Sequence, residues 1–85
     1  MVHFLNAGVV HFPNAGNISA SGTQVSDISP IERIANLERL DIRGTRVTNL
    51  ASLAKTNIRV LDIRGLHNIV DYSVIAKMHL ETLMI

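Results

Sequence analysis

The chain has 85 residues, a net charge of +1 and no cysteine, so it forms one small domain, or part of one, without disulfide bonds. Its near balance of 8 basic and 7 acidic residues argues against a dedicated nucleic-acid-binding domain, which usually carries a strong basic excess. No apolar run approaches the roughly 18 residues of a membrane span, and the first residues lack the basic and apolar regions of a signal peptide. We therefore expect an intracellular protein with no membrane partner.

The four histidines do not have the spacing of metal ligands. They stand at positions 3, 11, 67 and 79, so none is paired with another one helical turn away, as helical zinc motifs require. The sequence therefore predicts neither a metal site nor another cofactor.

Residues 1–16 contain a tandem near-copy, His-Phe-Leu-Asn-Ala-Gly at 3–8 and His-Phe-Pro-Asn-Ala-Gly at 11–16. Asn-Ala-Gly favours turns because Asn and Gly tolerate positive φ, and Pro13 presets the first corner of a turn. We predict that this segment is an irregular N-terminal cap. A degenerate early repeat and a poorly ordered tail are the alternatives.

A longer repeat organises residues 17–85. Leu-Asp-Ile-Arg-Gly occurs at 40–44 and again, 21 residues later, at 61–65, and a third Leu-x-x-Leu copy begins at Leu80. A fixed period in the twenties is typical of solenoids. Apolar and polar residues alternate in each copy, as in a half-buried strand, and connections of roughly 17 residues suit crossovers between parallel strands. The pattern predicts parallel strands near 17–20, 38–42, 59–63 and 81–84.

A short helical segment is predicted after each of the first three strands. Asp27, Asn49 and Asp71 stand five, five and six residues after Gly22, Gly44 and Gly65. These residue types are preferred N-caps because their side chains accept first-turn N–H groups. In the first segment, residues 29–32 have the form of a capping box with Pro30 at the first helical position. These segments are too short to be helical alone, so each needs a neighbour to pack against.

The spacing of apolar residues resembles the short leucine-rich repeat of the internalin-like type. The resemblance is carried by Leu37, Leu40, Ile42, Val47, Leu50 and Leu53, and units of varying quality cover about residues 12–85. It implies an α/β solenoid of about three and a half repeats. A parallel sheet would form the concave face, and short helices or 3₁₀ turns would form the convex face.

The sequence departs from that family pattern in two ways. The family has Asn where this chain has Thr23 and Thr45, and that Asn bonds backbone groups of the loop. A Thr hydroxyl is expected to do part of this. The third unit has Leu66 at the corresponding place and contains one inserted residue, which resembles the cysteine-containing repeat of ubiquitin-ligase substrate adaptors.

The outward strand positions form the candidate protein-binding surface on the predicted concave face. They are Arg39, Asp41, Arg43, Asp62, Arg64, Thr82 and Met84. Strands in register about 4.8 Å apart would place Asp beside Asp and Arg beside Arg, with opposite charges alongside. Two interpretations remain open. The charges form a self-neutralised ladder, or the arginines offer planar forks to the carboxylates or phosphates of a partner.

The sequence predicts a non-enzymatic protein–protein interaction module, a scaffold or recognition subunit. Asp41 and Asp62 resemble a catalytic pair, but no His, Ser or Lys converges on them in the aligned copies, and a flat sheet face offers no pocket. The alternatives are a structural subunit of a ribonucleoprotein or other large particle and, from the third unit, a ubiquitin-ligase adaptor.

The sequence stops within the fourth predicted strand. An open strand edge carries unpaired N–H and C=O groups that invite pairing. We therefore expect this edge to continue into a longer chain, to dock on a partner or to pair with a second copy.

Overall fold

Four short strands form one parallel sheet in the order of the chain. The structure is a computed structural model that describes residues 16–34 and 36–85. The strands are β1 (Asn17–Ser19), β2 (Arg39–Asp41), β3 (Val60–Asp62) and β4 (Thr82–Met84). The four predicted strands and their parallel pairing are confirmed, each strand being one or two residues shorter than expected. The predicted N-terminal cap, except Gly16, lies outside the described residues.

The strands pair in the register that the sequence repeat predicts. Leu40 pairs with Leu61, and Asp41 with Asp62, so the two copies of Leu-Asp-Ile-Arg-Gly lie side by side. The backbone N–H of Ile42 donates to the Asp62 carbonyl at 3.0 Å, which continues the pairing beyond the strand ends. Each residue therefore lies beside its counterpart in the next copy.

A tight turn ends each copy of the strand. Gly44 has a φ of +62°, a conformation that a residue with a Cβ adopts only at a cost. The hydroxyl of Thr45 donates to the Ile42 carbonyl at 2.8 Å, and the hydroxyl of Thr23 donates to the Ala20 carbonyl at 2.7 Å. The threonines thus bind the loop backbone, as expected for their place in the repeat.

Within the described part of the chain, three short helices connect the strands. They are two 3₁₀ helices, Ser29–Arg33 and Ala51–Lys55, and one α-helix, α1 (Ser73–Ala76). No helix within the described residues has the length and apolar character required to cross a membrane.

The predicted cap residues bond the first N–H of each helix. Asp27, Asn49 and Asp71 each accept, through Oδ1, the N–H two residues ahead at 2.8 Å. These backbone bonds lower the pKa values of the Asp27 and Asp71 carboxyls. The predicted capping box is wrong, because Ser29 is the first residue of its helix and its N–H is the group that Asp27 binds.

The core lies between the sheet and the helices. Its buried apolar residues are Ile18, Ala20, Val25, Ile28, Ile31, Leu37, Leu40, Ile42, Val47, Leu50, Leu53, Ile58, Leu61 and Ile63. Burying one such Leu or Ile stabilises the fold by about 1.5–3 kcal/mol. The core thins toward β4, where Leu83 is 36% exposed although its counterpart Leu61 is fully buried.

Candidate functional site

The outward residues of β2, β3 and β4 form a continuous surface together with Arg43 and Arg64, which lie two residues after the ends of β2 and β3. We call this surface the charged face. Its members are Arg39, Asp41, Arg43, Val60, Asp62, Arg64, Thr82 and Met84. The register sets Arg39, Val60 and Thr82 in one row across the strands and Asp41, Asp62 and Met84 in a second row. All seven predicted site residues therefore lie on one surface. Val60 was missed, although its place in the row between Arg39 and Thr82 was readable from the repeat.

An Asp–Arg pair forms within each of the two Leu-Asp-Ile-Arg-Gly copies. Asp41 accepts hydrogen bonds from Arg43 at 3.1 Å from the backbone N–H, 3.0 Å from Nε and 2.9 Å from Nη2. The same three bonds join Asp62 and Arg64 at 3.2, 3.0 and 2.8 Å. Residues two apart lie on the same side of a strand, so the spacing Asp-x-Arg brings each carboxylate to its own guanidinium. The backbone bond also fixes the end of the strand.

One further ion pair links the two copies. Arg43 Nε lies 3.2 Å from Asp62 Oδ2, so Asp62 is held by two arginines. Its side chain is only 5% exposed, whereas those of Arg43 and Arg64 are 44% and 51% exposed. The two guanidinium groups thus cover the carboxylate at the surface of the sheet. The structure contains the self-neutralised ladder that the sequence suggested.

The ion pairs change the acidity of these groups. The hydrogen bond from Arg64, helped by the positive charges of Arg64 and Arg43, lowers the pKa of Asp62, although burial opposes this. The same contacts raise the pKa values of both arginines, chiefly through the hydrogen bond each makes to the Asp of its own copy. Asp62 and both arginines therefore remain charged at neutral pH.

Arg39 stands apart from the ladder. It is exposed and forms no ion pair with any residue that the structure describes. Val60 lies beside it in the first row, and Met84 lies two strands away in the second row. Both are apolar and half-buried. Three arginines and two aspartates give the charged face a net charge of +1. The face encloses a shallow cleft of about 210 Å³, lined by every member of the charged face except Thr82 and floored in part by Leu40.

The helical side carries a larger depression. It has a volume of about 540 Å³ and lies between the second 3₁₀ helix and α1, where its lining includes Ala51, Ala54 and Lys77. Val70, at its edge, is 88% exposed.

In residues 16–34 and 36–85, no group of three or more His, Asp or Glu side chains could hold a metal ion.

Comparisons of the chain with family models, with curated proteins and with solved structures find no match. The chemistry of the charged face is therefore the basis for a functional proposal.

Proposed function

We propose that the chain is a leucine-rich-repeat solenoid of about three and a half repeats whose charged face binds another protein. The protein acts as a non-enzymatic scaffold or recognition subunit. One observation carries most of the proposal. The paired Asp and Arg side chains are fixed in place, while Arg39 and Thr82 remain exposed beside the half-buried Val60 and Met84. A preorganised surface that mixes polar and apolar groups loses little entropy when a partner docks.

Agreement between sequence period and strand register supports the solenoid. Stacked repeats require each unit to contact only its neighbours and to bury a shared core. Each strand pairs with the next strand along the chain. The first 3₁₀ helix contacts the second, and the second contacts α1.

The chemistry of the cleft supports a non-enzymatic role. Its volume of about 210 Å³ falls below the roughly 300–1,000 Å³ of typical small-molecule sites. The described residues that line it include no His, Ser or Lys. Asp62 has a lowered pKa and is held by two arginines, so it is a poor proton acceptor at neutral pH.

The test is site-specific photo-crosslinking of the full chain in an extract of its source cells. One variant carries the crosslinker at Thr82, which is exposed on the charged face, and the matched control carries it at Ala51, which is exposed on the helical side. We expect a defined protein to be captured from Thr82 and not from Ala51, and the same protein, once purified, to bind the unmodified chain.

Other outcomes would overturn the proposal. Capture of RNA at Thr82 would favour a structural subunit of a ribonucleoprotein, and capture at Ala51 alone would place the binding surface on the helical side. Arg43 and Arg64 are unsuitable positions for this test. Replacing them would leave Asp41 and Asp62 unneutralised and would disturb the fold together with the surface.

A further inference from the structure

We infer that the charged face recognises an extended protein segment in which an acidic residue is followed, two residues later, by an apolar one. The acidic side chain binds Arg39, and the apolar side chain packs on Val60 and Met84. This inference rests on the proposed function and specifies the chemistry of its partner.

The distribution of charge on the face is complementary to one negative group from outside. Arg43 and Arg64 are occupied by Asp41 and Asp62 at 2.8–3.2 Å. Arg39 has no acidic partner among the described residues, and it accounts for the net charge of the face. A planar guanidinium binds a carboxylate through two parallel hydrogen bonds, so one carboxylate at this place neutralises the whole face.

The apolar neighbours lie at the distances that an extended chain spans. Val60 is directly beside Arg39 in the register, about 4.8 Å away across the strands. Met84 lies one strand beyond Val60 and in the second row, next to Asp62. In an extended segment, side chains two residues apart point the same way and are separated by about 6.6 Å. An acidic residue over Arg39 therefore brings the next side chain on that side over Val60, from where a long apolar side chain extends toward Met84.

The same arrangement disfavours other partners. A nucleic acid would bring several phosphates to a face whose net charge is only +1 and whose second row contains Asp41 and Asp62. No aromatic residue lines the described cleft, so bases have no stacking surface of the kind single-stranded nucleic acids use. A basic segment would meet the exposed Arg39, while the oxygens of both aspartates are already occupied.

The probes are fluorescein-labelled peptides built from a repeated glutamate–serine–leucine unit, and binding to the full chain is measured by fluorescence polarisation. Three matched peptides replace the glutamates by glutamine, the glutamates by lysine, or the leucines by serine. We expect the acidic–apolar peptide to bind about twofold to fivefold more tightly than the glutamine peptide, the range for one exposed ion pair. The lysine peptide should bind most weakly.

Protein variants assign the two contacts. Arg39→Gln should reduce the affinity for the acidic–apolar peptide to that for the glutamine peptide. Val60→Ser should reduce it to that for the leucine-free peptide. Arg46→Gln removes an exposed arginine from the loop after β2 and should leave binding unchanged.

The outcomes separate this inference from the proposed function. Equal binding of the glutamate and glutamine peptides, no measurable binding of either, or tighter binding of an RNA oligomer would overturn the acidic–apolar specificity. If Thr82 captures a protein whose binding survives Arg39→Gln and Val60→Ser, the inference fails and the proposed function stands. If Thr82 captures no protein, the proposed function fails whatever the peptides do.

Discussion

Replacing Asp62 by Asn tests the energetics of the ladder most directly. The substitution keeps the size of the side chain and an oxygen that can accept the Arg64 N–H, but it removes the negative charge that holds two guanidinium groups. Arg43 then still has Asp41 as an ion-pair partner, whereas Arg64 loses its only ion-pair partner among the described residues.

The expected cost lies between two limiting cases. Exposed ion pairs contribute about 0–1 kcal/mol, and removing one partner of a buried pair costs about 3–5 kcal/mol. Asp62 is 5% exposed, but its arginine partners are 44% and 51% exposed, so water can solvate them after the substitution. We therefore expect Asp62→Asn to lower the free energy of unfolding by about 1–2 kcal/mol at pH 7, nearer the exposed limit.

The difference between the two proteins should depend on pH with a definite sign. The folded state lowers the pKa of Asp62 below its ordinary value of 3.8. The resulting stabilisation is fully present at pH values above the ordinary pKa of 3.8. It is lost as the pH falls through the lower pKa that Asp62 has in the folded state. The Asn variant lacks this contribution at every pH. The gap between the two stabilities should therefore be constant from pH 7 to about pH 5 and close at more acid pH.

Urea unfolding of both proteins, followed by circular dichroism across this range, measures the gap. With an m-value of about 1 kcal/mol/M, the midpoint should differ by roughly 1–2 M at pH 7. Asp41→Asn is the matched control. It removes a more exposed carboxylate, 18% exposed, that pairs with one arginine, so it should cost less. A gap that stays constant into acid pH, or a larger cost for Asp41→Asn, would refute the assignment of the ladder's energy to the Asp62 charge.

Three further substitutions test the fold. Gly16→Ala should destabilise the protein well beyond Gly22→Ala. Both glycines have a positive φ, which costs about 1–2 kcal/mol for Ala, but only at Gly16 would the new Cβ meet backbone, the Asn36 carbonyl oxygen at 2.9 Å. Equal urea midpoints of the two variants would contradict this. Thr45→Val should cost about 1–2 kcal/mol in urea unfolding through the lost bond inside the loop, and an unchanged midpoint would show that the bond contributes nothing. Leu61→Ala should cost about 2–5 kcal/mol in thermal or urea unfolding, since Leu61 is fully buried, and a loss below about 1 kcal/mol would place Leu61 outside the core.

The strands and their register were predictable from the sequence because one five-residue element occurs twice at a fixed distance. Once Leu40 and Leu61 are equivalent, parallel pairing in register follows, and the outward rows are fixed with it. The pairing of Asp62 with Arg64 was predictable for the same reason, since residues two apart share one side of a strand. Asp41 has an arginine two residues away on either side, Arg39 and Arg43, so its pairing with Arg43 was not.

The contact between copies was not predictable in detail. Arg43 reaches Asp62 as well as Asp41, a choice that depends on the conformation of a long side chain among several carboxylate oxygens. The sequence left the cap of the first helix open between Asp27 and Ser29, because both residue types are favoured at that place. In the structure Asp27 Oδ1 accepts the Ser29 N–H, and Ser29 is itself the first residue of the helix.

The pairing of Asp and Arg within each copy has a consequence for how such a chain can lengthen. A duplicated segment that carried only the aspartate would add like charge at about 4.8 Å from its neighbour, a repulsion that grows with every copy. Leu-Asp-Ile-Arg-Gly carries its own counterion two residues away, so each new copy adds no net charge to the sheet. Tandem duplication of this element is therefore limited by how well successive cores pack and not by accumulated charge.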